Sequence, residues 1–265
     1  MFYSHQQLSF QINNPHISVI FLHAFPLNVM MWKPQFEVLE KGEYSYLAID
    51  YPGFGKSKLD KHSMSMEDYA DLIHDFSRKL GIKKSVFVGS SMGGYIALAI
   101  LRKYPETIQG LVLANTRASA DDDGLRQRRR KMVFDLRENG DTTVIIENHL
   151  EKFVTPETRK KNPELVSQLR SMMKEATLEG IIQAQKAMAG REDSLDLLKN
   201  FKLPGLVISG GRDEIIPADE ARVMADYLPS GKYKIIPEAA HISNLECPEI
   251  FNNILIDFLK KSNFL

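Results

Sequence analysis

Gly89-Ser90-Ser91-Met92-Gly93 lies between the apolar run Val86 to Val88 and a helical pattern over Met92 to Tyr104. A serine in the pattern Gly-x-Ser-x-Gly, set between a strand and a helix, is typical of a sharp turn that exposes the hydroxyl. The residues two before and two after the serine must be tiny, because strand and helix would otherwise collide. The stretch predicts a strand–turn–helix unit with Ser91 as candidate nucleophile; the alternative is a glycine-bearing turn with an incidental serine.

Short apolar runs and helical patterns alternate around this turn. Parallel strands buried on both faces have near-continuous apolar sequences, and strands that alternate with helices indicate a mostly parallel sheet. Strands of this kind are predicted at residues 17–22, 44–49, 86–88, 111–113, 206–208 and 233–236. Helices are predicted from a cap at Ser65 to Gly81, over Met92 to Tyr104 and over Ile250 to Leu259. The expected fold class is α/β, a twisted, mostly parallel sheet with helices on both faces.

The alternation is interrupted between about Arg117 and Asn200. This stretch contains no convincing strand and is rich in charged residues and helix formers. We therefore predict a core made of residues 1–116 and 201–265, and a helical cap insertion over residues 117–200 that covers one end of the sheet.

A serine nucleophile needs an adjacent base and a group that orients the base. His241 follows the last predicted strand, in a run of small residues, and is the candidate base. Asp213 follows the strand 206–208 and is the candidate acid, although it could instead cap a helix near Pro217, and Glu214 competes with it. The order Ser91, Asp213, His241 is the one expected when a nucleophile turn of this kind is present.

The other histidines are interpreted as structural or surface residues. His23 lies in the loop after the first buried strand, where its ring can hold the loop by hydrogen bonds. The remaining ones lie in polar surroundings or on a predicted helix, and ordinary surface positions are expected for them: His5, His16, His62, His74 and His149.

Two backbone N–H groups are candidates to hold a developing oxyanion. Ser91 lies at the N-terminus of a predicted helix, so the N–H of Met92 has no partner within that helix. The second donor is expected in the loop after the first buried strand, and the N–H of Phe25 is the candidate there.

Composition excludes several classes of function. Lys and Arg together number 34, as do Asp and Glu, so the formal net charge is zero and no nucleic-acid partner is indicated. Cys247 is the single cysteine, which excludes an intrachain disulfide and a cysteine-rich metal site. We expect no metal, no cofactor, no signal peptide, no membrane span and a cytoplasmic location.

Several segments together resemble the α/β-hydrolase superfamily, and the resemblance runs nearly end to end. The segments that carry it are His23-Ala24-Phe25-Pro26, Asp50-Tyr51-Pro52-Gly53-Phe54-Gly55-Lys56-Ser57, Gly89-Ser90-Ser91-Met92-Gly93-Gly94, Gly210-Gly211-Arg212-Asp213 and Ala240-His241. Within the superfamily the chain is most similar to small esterases, 3-oxoadipate enol-lactonases and cofactor-free haloperoxidases or perhydrolases. The residues 111–116 are similar to the enol-lactonases, and Phe25-Pro26 is similar to the perhydrolase oxyanion loop. The resemblance implies the α/β-hydrolase fold and a hydrolytic activity.

One departure from the family pattern falls in the oxyanion loop. The family usually has glycine after the loop histidine, and here the residue is Ala24. If that position requires a positive φ, an alanine would be strained there.

Three features of the sequence have both a structural and a functional interpretation. The basic run Arg126, Arg128, Arg129, Arg130 and Lys131 predicts a solvated helix face, or one arginine that pairs with a substrate carboxylate. Four large apolar side chains are expected to pack in the interior, and the alternative is that they line the substrate pocket: Met172, Met173, Met188 and Trp32. Cys247 is expected to be structural.

The predicted activity is hydrolysis of a small carboxylic ester or enol-lactone through an acyl-enzyme on Ser91. Perhydrolysis on the same triad and a ligand receptor on a hydrolase scaffold are the alternatives. A serine nucleophile argues against haloalkane dehalogenation, which uses an aspartate on this fold. The expected partner is a small-molecule ester or lactone, and the oligomeric state stays open.

Overall fold

A computed structural model describes residues 8–11, 18–59 and 63–264 of the chain. Seven strands form one sheet: β1 (Leu8–Gln11), β2 (Ser18–Leu22), β3 (Tyr46–Ile49), β4 (Ser85–Ser90), β5 (Ile108–Ala114), β6 (Gly205–Gly210) and β7 (Gly231–Ile236). Their order across the sheet is β1-β3-β2-β4-β5-β6-β7. Every neighbouring pair is parallel except β1 and β3.

Helices connect the strands and fill the segment between β5 and β6. Before that segment are α1 (Lys33–Lys41), α2 (Met66–Lys79) and α3 (Met92–Lys103). Within it are α4 (Asp123–Asn139), α5 (Thr143–Phe153), α6 (Pro156–Lys161), α7 (Pro163–Lys174), α8 (Leu178–Gly190) and α9 (Leu195–Lys199). After it are α10 (Ala218–Tyr227), α11 (Ser243–Glu246) and α12 (Pro248–Lys261). Short 3-10 helices occupy Val29–Trp32 and Pro105–Thr107.

The central strands are buried on both faces. In β2, Ile20 and Leu22 pack into the hydrophobic core on one face, whereas Val19 and Phe21 pack into the core on the other face. This arrangement follows from the alternation of side chains along a strand, because both faces of the sheet are covered by helices. The α/β fold class expected from the sequence is confirmed.

Local sequence sets the ends of α2 as predicted. The Ser65 side chain accepts a hydrogen bond from the Asp68 N–H, and the Asp68 carboxylate accepts one from the Ser65 N–H. This reciprocal pair satisfies donors that the first helical turn leaves free. Gly81, just beyond the end of the helix, has a positive φ of 77°.

Two expectations about the sheet edges need correction. The strand β1 was not predicted, and it is the antiparallel edge strand beside β3. The strand β7 was predicted as a buried run over 233–236, but only Ile236 is fully buried and Ile235 is exposed. It lies at the other edge of the sheet, where the helices cover its faces incompletely.

All described elements between β5 and β6 are helical, as expected for residues 117–200. Within this segment α4 packs on α8, and α5 packs on α7. Met172 and Met173 of α7 are buried in the core below, which is the packing role expected for them. The division of the chain into a core and a separate cap domain stays a prediction.

The glycines around Ser91 are required by close packing of the backbone. A Cβ added to Gly89 would lie 2.4 Å from the carbonyl oxygen of Gly93. A Cβ added to Gly93 would lie 2.1 Å from the carbonyl oxygen of Leu22. Both approaches are shorter than a non-bonded contact allows, so the sequence argument for tiny residues at these two positions holds.

We expect Gly93→Ala to lower the free energy of unfolding by about 3 kcal/mol, because the new methyl group meets backbone that cannot yield. Gly190→Ala is the matched control. Gly190 also lies in a helix, a Cβ there meets nothing within 4 Å, and alanine is expected to be neutral or stabilising. Urea unfolding of both variants measures the difference; equal stabilities would contradict the packing argument.

Candidate active site

Ser91 occupies a strained turn between β4 and α3. Its backbone has φ 51° and ψ −115°, a conformation that residues other than glycine rarely adopt. The turn is held by two hydrogen bonds: the Ser91 N–H donates to the Ala114 carbonyl (3.0 Å), and the Thr116 hydroxyl donates to the Ser91 carbonyl (2.8 Å). The neighbouring strand therefore stabilises a backbone geometry that presents the Ser91 hydroxyl at the carboxyl edge of the sheet.

The structure brings Ser91, His241 and Asp213 together in one hydrogen-bonded chain. The Oγ of Ser91 lies 2.8 Å from Nε2 of His241, and Nδ1 of His241 lies 2.8 Å from Oδ2 of Asp213. A carboxylate can only accept, so Nδ1 carries the proton and Nε2 is left to accept from the serine hydroxyl. This is the arrangement in which an imidazole can remove the serine proton.

Asp213 is fixed by four hydrogen-bond donors. Its Oδ1 accepts from the N–H groups of Ile215 and Ile216, both at 2.9 Å, and its Oδ2 accepts from Asn115 at 3.0 Å as well as from His241. Burial opposes ionisation of this carboxyl, but His241 and these donors outweigh burial and hold the pKa of Asp213 below its usual value. Asp213 is therefore an oriented carboxylate.

The two alternatives for the acid differ in where the structure places them. Glu214 is exposed, whereas Asp213 is buried beside His241. The helix α10 begins after Pro217 without a side-chain cap, so Asp213 does not cap it. It holds instead the loop that precedes this helix.

Asn115 is a polar residue of this site that the sequence argument did not single out. It has a positive φ of 48° at the end of β5 and lies between Asp213 and the His241 loop. Its amide group donates to Oδ2 of Asp213 and to the carbonyl of Ala240 (3.2 Å), and its oxygen accepts from Ser243 (2.6 Å). The signal that could have found it is an asparagine directly after a strand that neighbours the nucleophile strand.

A cavity of about 90 Å³ opens beside Ser91 and His241. Its wall is formed by residues before, within and after the segment between β5 and β6, and includes Phe25, Tyr95, Arg129, His149, Phe153 and Met188. Phe25 thus lies in the same cavity as Ser91, and Met92 follows Ser91 at the first position of α3. Within the described residues, the N–H groups of Phe25 and Met92 donate no hydrogen bond. Both N–H groups are therefore available to donate to a bound substrate, and their role as oxyanion donors stays a prediction.

Alanine at position 24 causes no backbone strain. Ala24 is absent from the non-glycine residues with positive φ in the described part of the chain, which include Ser91 and Asn115. It is fully buried, and its N–H donates to the Met31 sulfur at 3.1 Å. The departure from the usual glycine therefore leaves the loop geometry intact.

His23 holds the loop before Phe25, as expected for a structural residue. Its Nδ1 donates to the Ala24 carbonyl (3.1 Å), its Nε2 accepts from the Tyr51 N–H (3.2 Å), and its ring stacks on Tyr51. Burial lowers the pKa of His23 to about 3. The imidazole is therefore neutral, with both ring nitrogens satisfied.

A buried neutral histidine makes stability depend on pH. The pKa of His23 is about 3 in the folded state and about 6.5 when unfolded, so protons favour the unfolded chain below pH 6.5. We expect His23→Gln to lower the free energy of unfolding at pH 7. At pH 5 this loss should be smaller by about 2 kcal/mol, because the wild type is then itself destabilised by protonation of His23 in the unfolded chain. Urea unfolding at both pH values tests this; a difference that does not change with pH would contradict it.

His149 was predicted as a surface residue, and this prediction is wrong. Its ring packs against Phe25 and Phe153 in the cavity wall, because α5 packs against the loops that hold Phe25 and His241. Burial lowers its pKa to about 4. Its Nδ1 donates to the Ile145 carbonyl, so the unprotonated Nε2 is left as an acceptor.

The other histidines divide into two groups. His74 lies half-buried on α2, where its ring stacks on Tyr104, which is broadly the expected surface position. His5, His16 and His62 lie outside the described residues.

The basic run on α4 is mostly the solvated face that its composition predicts. Arg128, Arg130 and Lys131 are exposed, and Arg126 is half-exposed. Arg129 differs, because it turns inward and lines the cavity. The solvated-face interpretation therefore holds for most of the run, and pairing of an arginine with a substrate carboxylate stays a prediction.

The remaining ambiguous residues have ordinary packing roles, with one exception. Trp32 is fully buried against Phe21. Cys247 is half-buried, and burial together with Glu246 raises the pKa of its thiol to about 11, which agrees with a structural residue. Met188 is the exception, because it lines the cavity.

Residues 8–11, 18–59 and 63–264 contain neither a metal-binding cluster nor a helix that could span a membrane. In this part of the chain, no group of His, Cys, Asp and Glu side chains is arranged to hold a metal ion. None of the helices there combines the length and the apolar character that crossing a bilayer requires.

The fold and the site agree with a match to a protein family. Residues 17–248 match the family described as the alpha/beta hydrolase fold, and the chain belongs to this family. The resemblance stated from the sequence motifs is thereby confirmed.

The relatives of this chain include ester and lactone hydrolases. The chain is 26% identical to 3-oxoadipate enol-lactonase 2 of Acinetobacter baylyi, over 93% of this chain and 90% of the relative. It is 28% identical to a pimeloyl-[acyl-carrier protein] methyl ester esterase of Wigglesworthia glossinidia brevipalpis, over 95% and 97%. Among solved structures, a malate-bound thermophilic esterase from Thermogutta terrifontis superposes with a TM-score of 0.91 at 33% identity, over 97% and 93%.

Proposed function

We propose that this protein hydrolyses a small carboxylic ester or enol-lactone through an acyl-enzyme on Ser91. The observation that carries the proposal is the hydrogen-bonded chain from Ser91 through His241 to Asp213, with the serine hydroxyl at a cavity. The arrangement supplies a nucleophile, a base and a fixed carboxylate in the geometry that acyl transfer needs.

In the first half-reaction the Ser91 oxygen attacks the substrate carbonyl carbon while Nε2 of His241 takes the hydroxyl proton. The imidazolium that forms is stabilised by the Asp213 carboxylate, which stays ionised. The tetrahedral intermediate collapses when His241 returns the proton to the leaving alkoxide, and the acyl group remains on Ser91. A water molecule then repeats these steps as the nucleophile, and the carboxylic acid is released.

The backbone N–H groups of Phe25 and Met92 are the proposed oxyanion donors. Two observations support them: Phe25 lines the cavity and Met92 directly follows Ser91, and neither N–H donates a hydrogen bond within the described residues. The loop with Phe25 is held by His23 and Tyr51, so its N–H is oriented before substrate binds. Preorganised donors of this kind typically contribute about 10²- to 10³-fold in rate.

The substrate class also has support from relatives and from the site. The relatives named above act, by their names, on an enol-lactone and on a methyl ester. The cavity of about 90 Å³ suits a short acyl or lactone group better than a long chain. We therefore assign a small substrate.

The test is hydrolysis of p-nitrophenyl acetate, p-nitrophenyl butyrate and an unsaturated γ-lactone by the purified protein. We expect saturable turnover of at least one ester, with a preference for the short acyl chains. Cys247→Ser is the control for an adventitious nucleophile, and it should retain full activity because the thiol of Cys247 is half-buried and has a raised pKa. Ligand binding without any turnover would contradict the proposed function and favour the receptor alternative.

A further inference from the structure

The wall of the cavity at Ser91 carries two arginines and, among the described residues that line it, no carboxylate. The arginines are Arg117 and Arg129, and most of the other lining side chains are apolar or aromatic. The wall also holds two histidines: His241 belongs to the hydrogen-bonded chain with Ser91 and Asp213, and His149 is neutral because burial lowers its pKa to about 4. A guanidinium in such surroundings is stable only when an anion compensates its charge.

Arg117 has its anion within the protein. Its Nη1 lies 3.0 Å from the Glu220 carboxylate, and its Nη2 donates to the Ile215 carbonyl at 3.0 Å. This arginine connects the start of the cap segment to the segment around α10. Its charge is therefore already compensated.

Arg129 shares a single carboxylate with a second arginine. Its Nε donates to Oδ2 of Asp121 at 2.6 Å, while Arg191 donates to Oδ1 of the same carboxylate at 2.6 Å. The Asp121 carboxyl is buried; burial opposes its ionisation, but the two arginines outweigh burial and hold its pKa below the usual value. One negative charge thus faces two positive charges, so this cluster has an excess of one positive charge.

The excess charge is fixed in position at the cavity. Arg191 is buried, and its guanidinium carbon lies 4.1 Å from the centre of the Tyr95 ring, so this side chain is held away from the cavity. Arg129 is held by Asp121 and by Gln185, to which its Nη1 donates at 2.9 Å. An arginine has five N–H donors, and within the described residues no acceptor is bound to Nη2 of Arg129. This nitrogen is therefore left without a protein acceptor, on a side chain that borders the cavity at Ser91 and also a more open cleft between α4 and α8.

We propose that Arg129 binds a carboxylate of the substrate, so that the site takes a short ester or lactone that also carries a carboxylate group. The inference rests on the proposed function for the reaction itself, but the anion site exists whether or not the serine turns over. Asp121 acts as a positioning residue, because it orients the guanidinium that the ligand meets. A substrate carboxylate supplies the second negative charge that the cluster lacks.

The first test measures binding without turnover. Glutarate and pentanamide have the same chain length, but only glutarate carries carboxylates, so calorimetric titration of the wild type compares them directly. We expect glutarate to bind more tightly, and Arg129→Gln to weaken glutarate about 30-fold while the affinity for pentanamide changes little, which corresponds to the loss of one charged hydrogen-bonded pair. Arg129→Lys should recover part of the affinity. Arg130→Gln removes the same charge from the exposed neighbour and should leave both affinities unchanged.

The second test separates this inference from the proposed function. Hydrolysis is followed for monomethyl glutarate, 3-acetoxypropanoate and the neutral methyl pentanoate, which place the carboxylate on the acyl side, on the alcohol side or nowhere. We expect Arg129→Gln to raise KM for at least one anionic ester about 30-fold and to leave KM for methyl pentanoate unchanged. Neutral ester turnover with no effect of Arg129→Gln on either anionic ester or on glutarate binding would overturn the carboxylate site alone. If the wild type hydrolyses none of the three esters but still binds glutarate through Arg129, the proposed function alone would be overturned.

Discussion

Replacing Ser91 by alanine is expected to lower kcat for p-nitrophenyl butyrate by about 10⁴- to 10⁶-fold. The hydroxyl is the only protein group of the proposed mechanism that bonds to the substrate carbon, and without it His241 has only water to deprotonate. The residual rate should come from the oxyanion donors and from binding, which the substitution leaves in place. Initial rates at saturating ester, with the wild type in parallel, measure the effect.

Ser90→Ala is the matched control for this substitution. Ser90 is the preceding residue, buried at the end of β4, and it has no part in the proposed mechanism. We expect the activity of the Ser90→Ala protein to stay within a few fold of the wild type. Thermal unfolding should show that the Ser90→Ala and Ser91→Ala proteins are both folded. A Ser91→Ala protein with wild-type activity would mean that another group is the nucleophile.

Replacing Asp213 by asparagine is expected to lower kcat by about 10⁴-fold with little change in KM. The amide would be nearly isosteric, but its NH₂ group can donate to Nδ1 of His241, which then accepts. That hydrogen bond favours the tautomer with the proton on Nε2, and this nitrogen can no longer accept the proton of Ser91. The imidazolium of the transition state also loses its counter-charge.

Glu214→Gln is the matched control, because it makes the same chemical change in the adjacent carboxylate. Glu214 is exposed, so we expect a rate close to that of the wild type. Steady-state kinetics of both variants on the same ester distinguish the two carboxylates. A large loss in Glu214→Gln with none in Asp213→Asn would show that the acid was assigned to the wrong residue.

The parts of this structure that follow from the sequence are those determined by local pattern. The strand–turn–helix around Ser91 needs its glycines at positions 89 and 93 because backbone atoms meet there, so spacing alone predicts it. The buried strands and the capped helix α2 follow from apolar periodicity and from Ser65 in the same way. His241 and Asp213 could be proposed because parallel strands end at one edge of the sheet.

The parts that were missed depend on packing between distant segments. His149 looks like a surface residue on its own helix, and only the packing of α5 against the Phe25 loop places it in the cavity wall. Arg129 has the same sequence character as the exposed Arg128 and Arg130, and its inward position depends on Asp121 and on Gln185, which lies on another helix. No local pattern encodes the contact of His149 with Phe25 or of Arg129 with Gln185, because these partners are far apart in the chain.

The proposed mechanism depends on an acyl-enzyme at Ser91, and this intermediate can be trapped. The wild type is mixed with p-nitrophenyl acetate, quenched in acid within the first turnover, and analysed by intact mass and by peptide mapping. We predict a mass increase of one acetyl group, located on the peptide that contains Ser91 and absent in Ser91→Ala. Acetylation of another residue in an active enzyme would contradict an acyl-enzyme on Ser91. Rapid turnover with unmodified Ser91 at every quench time and no burst of p-nitrophenol would contradict it as well.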